Sequence, residues 1–384
     1  MGFLNQFGIW GGGWTGWIVP FLFGLSIVVF FHELGHFLVA RWVGVRVLVF
    51  SVGFGPELVG FNDRHGTRWK ISAIPLGGYV KFFGDDNAAS VPDQANLAGM
   101  SEAERGQSFF HKPVGRRAAV VAAGPLANFL LAIVIFAGIF MFYGQPATSA
   151  RVDAIQPGSA AAAAGFQPGD MILAIDGDPI KNFSDMQRIV SVSAGRALTV
   201  KVSRGGEIKT LTATPELGDI KDGLGNTHRG GLLGISRSTS SEDLKLEKVG
   251  PLEAVGLGVE KTWFVIRSTL SYVGRVVAGK ESADQLGGPI RIAQVSGQVA
   301  ALGFVPILDL AGVLSVSIGL LNLFPIPLLD GGHLLFYGIE VLRGRPLSER
   351  AQELGFRIGL AIVLMLMIFT TFNDSLHLWR LWTS

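Results

Sequence analysis

The chain has 384 residues, of which 49% are hydrophobic and only 16% are charged, against about 25% charged residues in a typical soluble domain. This composition indicates a membrane protein. A formal net charge of +2 is too balanced to favour a nucleic-acid partner. The chain has no cysteine, which excludes disulfides, thiolate metal sites and cysteine nucleophiles, so a bound metal would need His, Asp or Glu ligands.

Four stretches are apolar enough to cross a bilayer, for which a helix needs ~20 residues. They are residues 17–42, 118–143, 310–329 and 358–373. The fourth is short, but it can extend towards its N-terminus if Arg357 reaches the membrane interface. Residues 1–31 carry no charged side chain, so they lack the basic start of a secretory signal peptide and we expect them to be retained.

The first stretch contains the motif His32-Glu33-Leu34-Gly35-His36. Histidines four positions apart on a helix project from one face, which is the spacing that a zinc ion requires, and the glutamate between them can act as a general base. Ionisable side chains inside a membrane are costly and tend to mark a functional site. The motif therefore predicts a zinc site formed by His32 and His36, with Glu33 as the catalytic base.

A catalytic zinc ion usually takes three protein ligands, and Asp330 is the candidate for the third. It follows Pro325 and Pro327, which interrupt the helix where the backbone has to line a cavity or be buried in protein. Gly331 and Gly332 are expected to permit close approach to a metal or substrate. His333 is a rival ligand that lies further towards the loop.

Three residues of the same stretch are candidates for binding substrate. Asn322 can donate and accept hydrogen bonds, so it could hold an extended peptide or polarise a carbonyl group. The interrupted backbone at Pro325 and Pro327 makes access of water and substrate feasible. A polar contact between helices is the alternative role for Asn322.

The positions of Lys and Arg predict the topology. The loop at residues 43–117 has nine basic residues, whereas the segment before the first span has none. The loop at residues 330–357 is basic again, through four arginines. We therefore expect both loops in the cytoplasm, both termini outside, and the histidines within the membrane towards the cytoplasmic face.

The loop at residues 43–117 contains two segments rich in β-formers, residues 45–52 and 67–80, which are punctuated by glycines that include Gly78. They predict a hairpin or small sheet beside the site. An unpaired edge of that sheet could hold an extended peptide by strand addition, which makes Gly78 a further candidate for binding substrate. An ordinary cytoplasmic loop is the alternative.

A β-rich domain is predicted between the second and third spans. Short β-like runs at residues 150–155, 171–175, 198–202 and 209–213 alternate with turns. The spacing resembles that of a PDZ domain of the type found in bacterial membrane proteases. The resemblance is carried by Gly158-Ser159-Ala160, residues 164–170, Ile175-Asp176-Gly177 and Leu232-Leu233-Gly234-Ile235. Residues 248–302 are too charged to span and are expected to form a helical connector.

Taken together, these motifs resemble the site-2 proteases, and within them the bacterial regulator of sigma-E protease group. The resemblance also rests on Gly124-Pro125-Leu126-Ala127-Asn128-Phe129 in the second span. It implies that His32, His36 and Asp330 bind Zn2+, that Glu33 is the catalytic base, and that Asn322 assists substrate binding. It also implies a membrane-reentrant β-element at residues 51–55 and 75–81. Many relatives carry two tandem PDZ domains, whereas this chain has room for one.

The predicted fold class is an α-helical membrane protein with about four transmembrane helices, a membrane-associated β-hairpin and an inserted PDZ-like domain. The expected partners are single-pass transmembrane substrates, the lipid bilayer and a peptide ligand of the PDZ-like domain, and the expected location is the bacterial inner membrane with the PDZ-like domain in the periplasm. The predicted parts are residues 1–43 (first span), 44–117 (cytoplasmic loop), 118–146 (second span), 147–238 (PDZ-like domain), 239–305 (connector) and 306–384 (third and fourth spans).

The expected activity is intramembrane zinc-dependent proteolysis, for example of an anti-sigma factor or of remnant signal peptides. Two alternatives use the same residues differently. A metal transporter would place a transport site at the broken helix, and a membrane-tethered PDZ scaffold would keep a vestigial metal site. Neither explains why Glu33 and Asp330 both accompany the two histidines.

Overall fold

The computed structural model describes residues 14–85, 99–146, 149–180, 182–221, 227–237, 246–279, 281–283 and 287–383. Their contacts divide the chain into two units. The first unit comprises the described parts of residues 1–137, 255–266 and 286–384. The second comprises those of residues 138–254 and 267–285.

Helices account for most of the described chain, and several short sheets accompany them. In chain order, the described helices are α1 (Trp14–Trp42), α2 (Glu102–Arg105), α3 (Val114–Tyr143), α4 (Ala160–Ala163), α5 (Phe183–Ser191), α6 (Pro251–Val277), α7 (Pro289–Ala301), α8 (Phe304–Asn322), α9 (Asp330–Arg343) and α10 (Glu349–Thr383). The described strands are β1 (Val47–Asn62), β2 (Arg68–Phe82), β3 (Gln145–Pro146), β4 (Ala154–Ile155), β5 (Met171–Ile175), β6 (Asp178–Pro179), β7 (Leu198–Arg204), β8 (Glu207–Ala213), β9 (Glu216–Lys221), β10 (Thr227–Leu232), β11 (Ile235–Ser236) and β12 (Leu246–Glu247).

Four of the described helices are long and apolar enough to cross a membrane. These segments are Gly16–Trp42, Val114–Tyr143, Phe304–Asn322 and Arg350–Leu376. The prediction of a mostly helical protein with four such helices is therefore confirmed. The connector predicted at residues 248–302 forms α6 and α7, and neither helix is among the four.

The third predicted span, residues 310–329, was wrong in its C-terminal part. Helix α8 ends at Asn322, and an irregular segment separates it from α9. Pro325 and Pro327 lack the N–H group that a continuing helix would use. Leu328 has a φ of +102°, a strained value for a residue with a Cβ.

The region predicted as a loop, residues 330–357, holds a helix of 14 residues, α9. Asp330 in its first turn and Arg343 in its last turn complement the helix dipole. Gly344, with a φ of +68°, ends the helix in the left-handed conformation that glycine adopts readily. The fourth span is also longer than predicted, because α10 continues on both sides of residues 358–373.

Polar contacts join the helices of the first unit within their apolar surroundings. The buried Asp374 of α10 accepts hydrogen bonds from the backbone N–H groups of Gly288 (2.9 Å) and Arg291 (3.0 Å), so it caps the start of α7. Lys261 of α6 forms an ion pair with Asp309 of α8. Each contact satisfies groups that would be costly if they were buried alone.

Strands β1 and β2 form an antiparallel hairpin with several β-bulges, so the predicted hairpin is present and is longer than expected. One part packs on α1, where Phe50 and Val80 are buried with Phe37. The rest presents large apolar side chains to the outside. They are Leu58, Val59, Phe61, Ile71, Ile74 and Leu76.

The second unit contains an antiparallel sheet in the order β6-β5-β7-β8, built around a core that includes Val152, Ile172, Val200 and Val202. Three predicted strands correspond to β5, β7 and β8. The first, residues 150–155, is reduced to β4 and a single bridge between Arg151 and Met171. The assignment of this unit as PDZ-like stays a prediction.

A buried ion pair closes one end of this sheet. Arg204 contacts the fully buried Asp170 through both carboxylate oxygens, at 2.7 and 2.8 Å, and the backbone N–H of Gln167 donates to the same carboxylate at 2.9 Å. The Arg204 guanidinium holds the pKa of Asp170 below its usual value. The folded state therefore favours the ionised carboxylate.

We expect Asp170→Asn to destabilise the second unit. Removing one partner of a buried pair costs about 3–5 kcal/mol, and the cost should be lower here because the Arg204 side chain is 22% exposed. Since the folded-state pKa is depressed, the stabilisation is complete above about pH 4 and is lost as the pH falls through the folded-state pKa. Hydrogen-exchange protection factors of β5 and β7 in the full chain measure this. Asp178→Asn, at an exposed position of β6, is the control, and equal protection in the two variants at pH 7 would contradict the assignment.

Candidate metal centre

Helix α1 presents the three motif residues on a buried face. His32, Glu33 and His36 are each 9% exposed. The two imidazole rings meet edge to face, and their Nε2 atoms are 3.2 Å apart. The spacing of four residues brings both rings to one side of the helix, as the motif predicts.

Asp330, in the first turn of α9, reaches the same point from the far end of the sequence. Its Oδ2 atom lies 3.2 Å from His32 Nε2 and 3.5 Å from His36 Nε2. This oxygen is buried, yet it accepts no hydrogen bond from the described part of the chain. Three potential ligand atoms therefore converge on one point.

The spacing of these atoms fits a zinc ion. Two ligand atoms at ~2.0–2.1 Å from one zinc, with a tetrahedral angle between them, are roughly 3.3–3.4 Å apart. The three separations of 3.2, 3.2 and 3.5 Å match that value closely. Two imidazoles and one carboxylate leave the fourth position for water or substrate, as in catalytic rather than structural zinc sites.

Helix α3 forms the floor of the site. Gly35 of α1 packs on the backbone of Ala123, and a Cβ at Gly124 would collide with the His36 ring and lie 2.9 Å from His32 Cε1. His36 Nδ1–H donates to the carbonyl oxygen of Val120 at 2.9 Å, which leaves its Nε2 lone pair free for a metal.

The residues of α3 that contact the histidines have no role that was predicted from the sequence. The available signal was a glycine, Gly124, one helical turn before the uncharged polar residue Asn128, inside a span without charges. Small residues let helix backbones approach closely, and polar residues in spans bond across helices. That signal does not indicate which helix packs against α3.

Gly331 and Gly332 permit a close approach to the protein's own backbone. A Cβ at Gly331 would collide with the carbonyl oxygens of Leu323 and Phe324, and a Cβ at Gly332 would collide with that of Ile326. The segment approached is the irregular one that precedes them, and the predicted approach to a metal or substrate stays a prediction. This packing holds Asp330 next to the histidines.

A cavity of about 320 Å³ adjoins the three ligand atoms. Glu33, Gly78 and Asn322 line it, and so does His333. His333 is not part of the described group of converging ligand atoms, which is formed by the two α1 histidines and Asp330.

The two prolines predicted to bind substrate, Pro325 and Pro327, are not among the described residues that line the cavity. Pro327 contacts Gly332 of α9, and its carbonyl oxygen packs on Gly359 of α10. The structure thus gives Pro327 a place in helix packing.

Strand β2 lies beside the cavity. Four consecutive residues, from Gly77 to Val80, line the cavity. One edge of β2 is paired with β1, with Val52 opposite Gly78 and Phe50 opposite Val80. A Cβ at Gly78 would lie 3.0 Å from Glu33 Cγ, so the face of β2 at this glycine packs against the glutamate.

We expect Gly124→Ala to abolish zinc binding, because its Cβ would displace the His36 ring. Gly138→Ala, on the same helix, is the matched control, since its Cβ would meet nothing within 4 Å. Zinc content of the two purified proteins, measured by mass spectrometry of the metal, checks this. Stoichiometric zinc in a folded Gly124→Ala protein would contradict the geometry.

Comparison with known proteins agrees with this site. The profile of Peptidase family M50 matches residues 20–366. A protein of Rhizobium meliloti (strain 1021) that is named as a zinc metalloprotease is 53% identical over 357 residues, which cover 93% of this chain and 96% of that protein. A protein of Agrobacterium fabrum with the same description is 52% identical over 94% of this chain and 96% of its own length. Metalloprotease MmpA of Caulobacter vibrioides is 41% identical over 93% of this chain and 94% of its own length. The chain belongs to the M50 family of peptidases, and it is a zinc metalloprotease of the membrane.

Proposed function

We propose that this metalloprotease cleaves peptide bonds within or next to the transmembrane segments of single-pass membrane proteins. The observation that carries the proposal is the location of Glu33. It is buried, and in the sequence it lies between two converging histidines, in a helical segment of 27 residues, Gly16–Trp42, that is apolar enough to span a bilayer. A hydrolytic centre in that setting is within reach of a substrate that is itself in the membrane.

His32 Nε2, His36 Nε2 and the carboxylate of Asp330 would hold the metal. Zinc bound there supplies Lewis acidity, which acidifies water and polarises a peptide carbonyl. Glu33 takes a proton from the attacking water on its carboxylate and passes it to the nitrogen of the leaving amine. The apolar helices around the site limit the entry of water to the cavity.

The substrate has to be extended at the bond that is cleaved, because a helix hides its backbone groups in internal hydrogen bonds. The edge of β2 at residues 77–80 can take up that extended segment by strand addition. Asn322, which also lines the cavity, can hold the segment through its amide group. The exposed apolar side chains of the hairpin support its insertion into the membrane.

The arrangement of basic residues supports a multi-pass topology in the bacterial inner membrane. The hairpin region and the start of α3 carry many Lys and Arg residues, which favours the cytoplasmic side for the adjoining end of the site. The second unit, which follows α3, then lies in the periplasm. We propose that it is a PDZ-like domain that binds a peptide.

Two substrate classes fit this arrangement. One is an anti-sigma factor that has already been trimmed outside the membrane, and the other is a remnant signal peptide. Both are single apolar helices with a short outer part, which a periplasmic peptide-binding domain could distinguish from intact membrane proteins.

Glu33→Gln is expected to retain zinc and to lose cleavage of a single-span reporter protein. The amide keeps the size of the side chain but cannot accept the proton from water. Cleavage in proteoliposomes and zinc content are the two measurements. His36→Ala is the comparison, since it should lose both. Full cleavage by Glu33→Gln would refute the proteolytic mechanism, and zinc flux without cleavage would favour a transporter.

Gly78→Ala is expected to lower kcat/KM on the order of 10–100-fold, the loss that follows when reacting groups are displaced by about 1 Å, while zinc content stays unchanged. Its Cβ would lie 2.7 Å from Ser51 O and 3.0 Å from Glu33 Cγ, so β2 has to move. Gly60→Ala is the matched control. It crowds the same hairpin, 2.8 Å from Trp69 O, away from the cavity. Equal loss in the two variants would show that distortion of the hairpin, rather than the contact of β2 with Glu33, is responsible.

A further inference from the structure

Asn128 of α3 is a fully buried polar residue inside a span that has no charge between residues 118 and 143. Its Nδ2 atom lies 3.2 Å from His32 Nδ1. Its Oδ1 atom is buried and has no hydrogen-bond partner among the described residues. A buried polar atom of this kind is costly in apolar surroundings and calls for an explanation.

The chemistry of a metal-binding histidine decides which end of the amide faces the ring. A neutral imidazole that binds a metal through Nε2 carries its hydrogen on Nδ1. Nδ1–H is then a donor, and the amide nitrogen is a donor as well, so they cannot bond. The two ends of an Asn side chain have the same shape and are told apart only by their hydrogen bonds. A half-turn of the amide brings Oδ1 to the place where an acceptor is required.

The surroundings of Asn128 leave its backbone little freedom. Ser315 Oγ of α8 donates to the backbone carbonyl of Asn128 at 2.8 Å. A Cβ at Gly319, one turn further along α8, would lie 3.0 Å from the Asn128 Cβ. The helix that leads to the Asp330 segment therefore also holds Asn128 against His32.

We propose that Asn128 is a positioning residue of the metal centre, in which its side-chain oxygen accepts the hydrogen of His32 Nδ1 and keeps Nε2 directed at His36 and Asp330. The inference rests on metal binding by His32 and does not depend on the substrate class. The two histidines differ in the group that orients them. His36 is oriented by the backbone carbonyl of Val120, whereas His32 is oriented by a side chain, which a mutation can remove.

The test is the zinc affinity of the full chain in detergent, measured by competition with a chromophoric chelator, which needs no substrate. Asn128→Leu removes the acceptor and is expected to weaken zinc binding about 10–100-fold, the usual effect of losing such a partner. Asn128→Asp retains an acceptor oxygen in nearly the same shape and should bind zinc as tightly as the wild-type protein. Ser317→Ala is the matched control on α8, since Ser317 Oγ donates within its own helix, to the carbonyl oxygen of Val313, and its loss leaves the contacts of Asn128 in place.

Two results would overturn the proposal. One is wild-type zinc affinity in a folded Asn128→Leu protein. The other is a loss of affinity in Asn128→Asp as large as in Asn128→Leu, because it would mean that the amide nitrogen is what His32 needs. If Asn128→Leu does not fold, as judged by circular dichroism and size exclusion, Asn128→Ala, which removes the acceptor without adding volume, takes its place in both comparisons. Either result would leave the proposed proteolytic mechanism untouched, since Glu33→Gln tests that separately.

Discussion

The close crossing of α1 and α3 is the contact on which the rest of the site depends. Gly35 lies against the backbone of Ala123, and Gly124 leaves the space that the two imidazole rings fill. A Cβ at either glycine would push the helices apart, and the rings would lose the carbonyl of Val120 and the amide of Asn128. The metal centre therefore depends on the close packing of α1 against α3 as well as on the His-Glu-x-x-His motif.

Every polar group at this crossing lies in surroundings where an unpaired one is costly. The His36 ring is satisfied by a backbone carbonyl, and Ser315 satisfies the carbonyl of Asn128. Among the residues that the structure describes, none donates a hydrogen bond to Asp330 Oδ2, which fits an atom that binds a metal ion. Ser315 joins α8 to α3 through its bond to the Asn128 carbonyl, and α8 leads to the segment that carries Asp330. The contact therefore helps to hold Asp330 next to histidines that lie almost three hundred positions earlier in the chain.

The hairpin and the helices contribute different parts of the site. The helices hold the three ligand side chains in place, which metal ligation requires to be precise. The hairpin contributes residues 77–80 to the lining of the cavity.

Composition, helical periodicity and the cost of charge in an apolar segment were enough to predict the membrane class, the placement of His32 and His36 on one helix face, and the choice of Asp330. The sequence also indicated that Pro325 and Pro327 break a helix, although the end of α8 at Asn322 and the helix that starts at Asp330 were not foreseen. The folded structure was needed to show which helix packs on the histidines, that Gly331 and Gly332 fit against their own preceding segment, and that β2 packs against Glu33 at Gly78. These depend on contacts between segments far apart in the chain, and periodicity, which is a local property, carries no information about them.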